Sequence, residues 1–136
     1  MNRYEEKARA YFLSGYNCAQ AVFLAFAEES GLDKNITLKI ASSFGGGMGR
    51  LKEVCGALSG GFMAMGLLQG YYDAEDKDAK AAHYDSVHDV GEAFRAEYKT
   101  LLCRELLPGQ TDEFKRPCID YVGCAARLVS EKLNLN

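Results

Sequence analysis

The sequence predicts an all-α protein, a single compact bundle of five or six helices around a central glycine-rich apolar helix. Three observations carry that prediction. No stretch of the 136 residues alternates apolar and polar side chains for long enough to read as a strand. Apolar residues recur instead three and four apart, the period of a helix with one buried face. Caps and breakers such as Asn17, Gly31 and Pro117 fall where those runs start and stop.

The elements follow in order. Tyr4, Ala8, Tyr11 and Phe12 share one face of a first helix, which Gly15 ends. Asn17 is a good N-cap for the apolar run CAQAVFLAFAEES, stopped by Gly31. Asn35 can cap a short third helix through ITLKIASSF, ended by the triple glycine Gly45 to Gly47. A fourth helix is expected from Lys52 or Glu53 to about Gly70. The acidic DAEDKD opens a long fifth helix, with Val87, Val90, Phe94, Tyr98 and Leu101 on one stripe, broken by Pro108 and Gly109. Pro117 suits the first turn of a last helix, where Ile119, Val122, Ala126, Val129 and Leu133 form an amphipathic face.

Without repeats or a long linker, residues 1–136 read as one helical, cysteine-containing domain, which buries about two-thirds of its unfolded surface. A net charge of −3 with scattered basic residues gives no footprint for nucleic acid. Val54 to Tyr72 is uncharged and about long enough to span a bilayer. It holds five glycines, a serine and a glutamine, so it reads as a closely packed core helix and not a membrane span. The charged MNRYEEKARAYF lacks the apolar core of a secretory signal. The expected location is the cytoplasm.

Five cysteines in such a compartment point to metal or redox work more than to structural disulfides. Cys18, Cys55 and Cys118 fall at expected helix starts, where unpaired N–H groups and the helix dipole favour a thiolate. Arg50, Lys52, Lys115 and Arg116, near them in sequence, push the same way. Cys103 is placed near the end of the long helix, joined to Cys118 by a proline-bounded loop. Cys124 stands about 120° around its helix from Cys118, beside Asp120, Arg127 and Glu131, and is expected to be peripheral and exposed.

No CxxC or CxxCH occurs, so the thioredoxin and covalent c-type haem signatures are both absent. Four dispersed cysteines (Cys18, Cys55, Cys103, Cys118) can serve as redox thiols or as ligands of zinc or an iron–sulfur cluster. His83 and His88 are five apart and point about 140° away from each other, which rules out an i,i+4 metal pair. The run FGGGMGRLKEVCGALSGG holds seven of the chain's fourteen glycines. It lacks the GxxxxGK[ST] pattern of a phosphate loop. Gly45, Gly46, Gly47, Gly49, Gly56 and Gly60 either pack tightly or let backbone approach a cofactor.

The run CGALSG, with Cys18 in NCAQAV, Cys103 in CREL and Cys118 in RPC, resembles the redox-active family described by the pattern C_GCAxxG_C_C. Order, approximate spacing and chain length are similar from about Tyr4 to Leu133, and Cys124 has no place in the pattern. The resemblance implies redox activity through the cysteines and names no substrate. A similar domain is associated with the haem-containing split-Soret cytochromes, whose covalent haem needs the CxxCH that this chain lacks. The resulting expectation is a thiol-dependent oxidoreductase acting on a redox partner or a small thiol or disulfide. Cys55 is the expected central thiol, with Cys18 near it, Cys103 near Cys118, and both pairs in one pocket lined by the glycine loop. Oligomeric state is left open.

Overall fold

The computed structural model describes residues 1–107 and 118–135. Side-chain caps fix the early helices. Asn2 accepts from the N–H of Glu5 at 2.8 Å and opens α1, Arg3–Leu13. Asn17 opens α2, Cys18–Ala27, in a reciprocal capping box with Gln20: the Gln20 N–H donates to Asn17 at 2.9 Å and the Asn17 N–H donates to Gln20 at 3.0 Å. A 3₁₀ turn, Glu28–Ser30, follows and ends at Gly31 in a left-handed conformation. α3, Lys34–Ser42, is capped by Asp33, two residues before the expected Asn35.

Next come the single turn α4, Gly45–Met48, then α5, Gly56–Gln69, and α6, Lys77–Tyr98. Asp76 caps α6 by accepting from the Ala79 N–H at 3.0 Å. The short α7, Cys103–Leu106, and α8, Cys118–Lys132, complete the order. The expected break of the long helix at Pro108 and Gly109, and Pro117 in the last helix, lie outside the described residues. α6 has already ended at Tyr98, with Lys99 left-handed at φ 72°.

Two expected boundaries move for one reason. Residues 53–55 and 101–103 run antiparallel, bridged at Val54 and Leu102. The Cys55 N–H donates to the Leu101 carbonyl at 2.8 Å, and the Cys103 N–H donates to the Glu53 carbonyl at 2.6 Å. This pairing holds Glu53–Cys55 extended, so α5 starts at Gly56 and not near Lys52. It also detaches Cys103 from the long helix and puts it at the head of α7. The partner segments are far apart in sequence, so no local pattern announces them. Among the described residues there is no strand, and the fold is all-α.

One hydrophobic cluster runs from Tyr4 to Leu133. α2 packs against α1, α3, α5 and α8, and α5 packs against α2 and α8. Eight of the ten residues of α2 are buried, against eight of the fourteen of α5, so α2 is the more enclosed of the two apolar helices. Phe26 of α2 stacks on Tyr4 of α1 at 4.6 Å between ring centroids. Full burial of such a side chain contributes about 1.5–3 kcal/mol. The α2–α5 contact depends on Gly60: a Cβ there would lie 3.0 Å from the Ala19 Cα and carbonyl carbon, with the carbonyl oxygen nearer still. No helix among the described residues is long and apolar enough to cross a membrane.

Candidate functional site

α2, α5 and α7 each begin at, or one residue after, a cysteine. Cys18 and Cys103 are the first residues of α2 and α7, Cys55 is the N-cap of α5, and Cys118 is the first described residue of α8. All four line one cavity of about 20 Å³, the scale of a single water. Gly46, Gly56, Leu106, Leu107 and Tyr121 complete its wall. Cys55, Cys103 and Cys118 are buried, and Cys18 is half-buried. None of the five cysteines forms a disulfide.

The bridge between Val54 and Leu102 explains one adjacency. Cys103 sits opposite Glu53, two residues from Cys55, and such diagonal neighbours on an antiparallel pair have Cα atoms about 7–8 Å apart. Gly56 explains another. A Cβ on Gly56 would lie 2.5 Å from the Cys18 sulfur and 2.8 Å from the Phe44 carbonyl oxygen, so a side chain after Cys55 would force the sulfur to turn aside and the backbone at Phe44 to shift. A Cβ on Gly47 would likewise meet the Cys103 Cβ at 2.6 Å.

The glycine loop is a left-handed turn. Gly46, Gly47, Met48, Gly49 and Arg50 all have φ between 60° and 68°. L-residues pay about 1–2 kcal/mol each for that conformation, which glycine avoids, so the turn is affordable only where glycine dominates. Its carbonyls are then used: Gly46 accepts from the Lys52 N–H at 3.3 Å and Gly47 from the Glu53 N–H at 3.0 Å. The turn thereby delivers the chain into the extended Glu53–Cys55 segment.

The six expected glycines separate by role. Gly46 and Gly56 line the cysteine cavity, Gly47 backs Cys103, and Gly60 packs on Ala19. Gly45 and Gly49 instead line a neighbouring open cleft with Asn17, Ser42 and Arg50.

Electrostatics correct the expectation for Cys55. Burial pushes its thiol well above the usual range, and the neighbouring Cys18 adds to that. The N–H groups of Ala57 and Leu58 at the start of α5 pull the other way, as a helix start should, but burial wins. The Tyr121 phenol is also raised, by burial first and then by Cys55 and Cys118; its hydroxyl donates to the Leu106 carbonyl at 3.0 Å.

Cys124 is a second correction. It lies outside the cavity, as expected, but is buried at 4% exposure, where the helical wheel put it on an exposed side. Its thiol donates to Glu97 of α6 at 2.8 Å, and Arg127 braces the same carboxylate at 3.3 Å. Burial and that hydrogen bond push Cys124 up to about 12. The wheel misled because α6 covers a flank of α8 that looks polar in sequence.

Tyr121, Leu106 and Leu107 were not anticipated at the cavity. Tyr121 stands three residues after Cys118, on the same helix face, and that spacing was a usable signal. His83 lies edge-on to Tyr71, and His88 is exposed beside Glu92; neither lines the cavity. Although the four thiols share a cavity wall, among the described residues no group of three or more His, Cys, Asp or Glu is placed to hold a metal ion.

Fold and site together define a helical protein with a multi-cysteine centre at the meeting point of its helix starts. The chain belongs to the family described as "Putative redox-active protein (C_GCAxxG_C_C)", whose model matches residues 16–132 and so takes in all five cysteines. No curated protein and no solved structure matches it.

Proposed function

We propose that the protein is a thiol-based oxidoreductase in which cysteines of the cavity cycle between dithiol and disulfide, passing two electrons to or from a partner. One observation carries this reading: Cys18, Cys55, Cys103 and Cys118 come from four separate segments of chain and meet at one cavity. Packing alone gives four small side chains no reason to converge, whereas thiol–disulfide exchange requires a second sulfur within reach of the first. Cys18 with Cys55, and Cys103 with Cys118, are the working pairs. The cytoplasm, where reductant is abundant, is the compartment in which such a cycle returns to the dithiol.

The test is equilibration of the protein in thiol–disulfide redox buffers, with disulfides mapped by mass spectrometry. The expected result is a two-electron transition that forms a disulfide among the four and persists in Cys124→Ser. A protein that keeps all four thiols through oxidising buffers would overturn the reading.

A second reading is a zinc- or iron–sulfur-binding module without turnover. It draws on the four thiols of one cavity wall, which would have to move together to share an ion, and on the N–H groups of Ala57 and Leu58 beside the Cys55 sulfur, which stabilise charge on a thiolate. Metal analysis of protein purified without oxygen separates the two. Stoichiometric metal that blocks titration of the four thiols supports the module, and titratable thiols without metal support the oxidoreductase.

A further inference from the structure

α7 is a single turn, Cys103–Leu106, and a helix of that length is not stable by itself. The fold holds it at both ends. At its head the Cys103 N–H donates to the Glu53 carbonyl at 2.6 Å, and the Arg104 N–H donates to the Lys52 carbonyl at 3.2 Å. At its tail the Leu106 carbonyl accepts from the Tyr121 hydroxyl at 3.0 Å, in a buried bond that crosses from α7 to α8. The last carbonyls of a helix have no acceptor role in its own ladder, so this one is available to an outside donor.

Tyr121 is itself well anchored. Its ring meets Tyr98 edge-on at 4.8 Å between centroids and Phe94 at 6.1 Å, both on α6. Burial raises its phenol above the ordinary range, so the hydroxyl stays protonated and remains a donor. Tyr121 stands three residues after Cys118 on one face of α8, and both line the cavity with Cys103, Leu106 and Leu107. It therefore lies one turn from the Cys118 thiol and bonds the far end of the turn that carries the Cys103 thiol.

We propose that Tyr121 is the positioning residue of the Cys103–Cys118 pair: its hydroxyl holds α7 so that the Cys103 sulfur stays within reach of the Cys118 sulfur. The inference rests on the thiol–disulfide reading and adds to it a residue that acts through α7 and not on the substrate. In the exchange, one thiol of the pair gives its proton to solvent and attacks a partner disulfide. A mixed disulfide forms, and one partner thiolate leaves and takes up a proton. The second thiol of the pair then loses its proton and attacks the first sulfur, the mixed disulfide breaks, and the second partner thiol leaves. Two protein thiols are oxidised and one partner disulfide is reduced to two thiols. Only the second step needs both protein sulfurs together, so a held α7 acts there. Without the hydroxyl the tail of α7 loosens, and the effective concentration of one sulfur at the other falls. Cys18 and Cys55 belong to α2 and α5, which this bond does not touch.

The test compares two full-length proteins that each keep one pair, Cys18→Ser with Cys55→Ser and Cys103→Ser with Cys118→Ser. Each is equilibrated with reduced and oxidised glutathione, and the dithiol–disulfide equilibrium constant is read by alkylation and mass spectrometry. Tyr121→Phe keeps the ring and removes the hydroxyl. It should lower the Cys103–Cys118 constant about three- to tenfold, the size of one net hydrogen bond, and leave the Cys18–Cys55 constant within about twofold. Tyr98→Phe, which removes the hydroxyl of the neighbouring ring, should change neither constant. Replacement of Tyr121 by para-aminophenylalanine returns a donor to the ring tip and should recover most of the loss. That variant also carries the test if Tyr121→Phe does not fold, with a smaller loss confined to the same pair. An equal change in both constants would make Tyr121 a general support of the fold and overturn the assignment, as would an unchanged Cys103–Cys118 constant. Both outcomes leave the thiol–disulfide reading standing. If, with Tyr121 intact, only Cys18–Cys55 closes, this inference alone is overturned. If neither pair closes, the thiol–disulfide reading falls and this one with it.

Discussion

α8 carries Cys118 and Cys124 six residues apart, and the two thiols belong to different regions of the molecule. Cys118 sits at the end of the bundle where α2, α5 and α7 begin, and it shares a cavity with three other cysteines. Cys124 lies farther along the helix, clamped to a carboxylate of α6 and braced by an arginine. Both are buried. Burial therefore does not distinguish a working thiol from a structural one, but the neighbours do. A second sulfur offers exchange, whereas a carboxylate locks the thiol in its protonated form. α5 repeats the contrast: Gly56 and Gly60 make room for Cys18 and for the backbone of α2, while Gly66 meets nothing.

The largest expected difference is in thiol reactivity. With its thiol pushed up to about 12 from an ordinary 9.0, Cys124 holds about a thousandfold less thiolate near neutral pH than an exposed cysteine. Iodoacetamide at pH 7.5 should label Cys18 first and leave Cys124 nearly untouched until the protein is denatured. Labelling of Cys124 at the rate of a model thiol would erase the contrast between the two regions.

Gly60→Val comes next. Its neighbour is the backbone of Ala19, which cannot rotate aside as a flexible side chain would. Overpacking of this kind costs about 1–3 kcal/mol, read as a lower urea midpoint. Full tolerance would mean that α2 and α5 can separate without loss, and with them Cys18 and Cys55.

How much of this was legible in the sequence depended on the range of the cause. The cap at Asn17, the stop at Gly31 and the buried face of α8 are local, and each reads directly from residue type and spacing. The convergence of four cysteines could be anticipated because three of them mark helix starts. The pairing of Glu53–Cys55 with Leu101–Cys103 could not, since each segment alone continues a helical pattern. The left-handed run from Gly46 to Arg50 was visible only as a density of glycine, because Met48 and Arg50 adopt a conformation that their own propensities oppose. Cys124 was misplaced because a helical wheel shows which residues share a side and not which neighbour covers it.

The pH dependence of stability should bear the mark of the distal thiol. The fold favours protonated Cys124, and the unfolded chain ionises it around the ordinary 9.0. The stabilisation is therefore fully present below that pH and is lost as pH rises towards the folded value of about 12. Cys55, also raised by burial, contributes with the same sign. Between pH 7.5 and 10 the urea midpoint should fall, and it should fall less in Cys124→Ala. Equal slopes in the two proteins would show that ionisation of Cys124 is not what the fold resists.

The smallest effect belongs to Gly66, and it has the opposite sign. Gly66 lies within α5, is exposed, and a Cβ added there would have no atom within 4 Å outside its own helix backbone. Its φ is not in the left-handed region, so alanine meets no strain. Gly66→Ala should then gain stability by restricting the unfolded chain and improving helix propensity, by about 0.5–1 kcal/mol. A rise of about 2–4 °C in the melting midpoint is the corresponding readout. The internal disulfide expected at the other end of the helix should form at an unchanged rate. Destabilisation on the scale of Gly60→Val would reveal a covering partner for the far half of α5. A stabilised protein with unaltered thiol chemistry would confine the demand for glycine to the end where the cysteines meet.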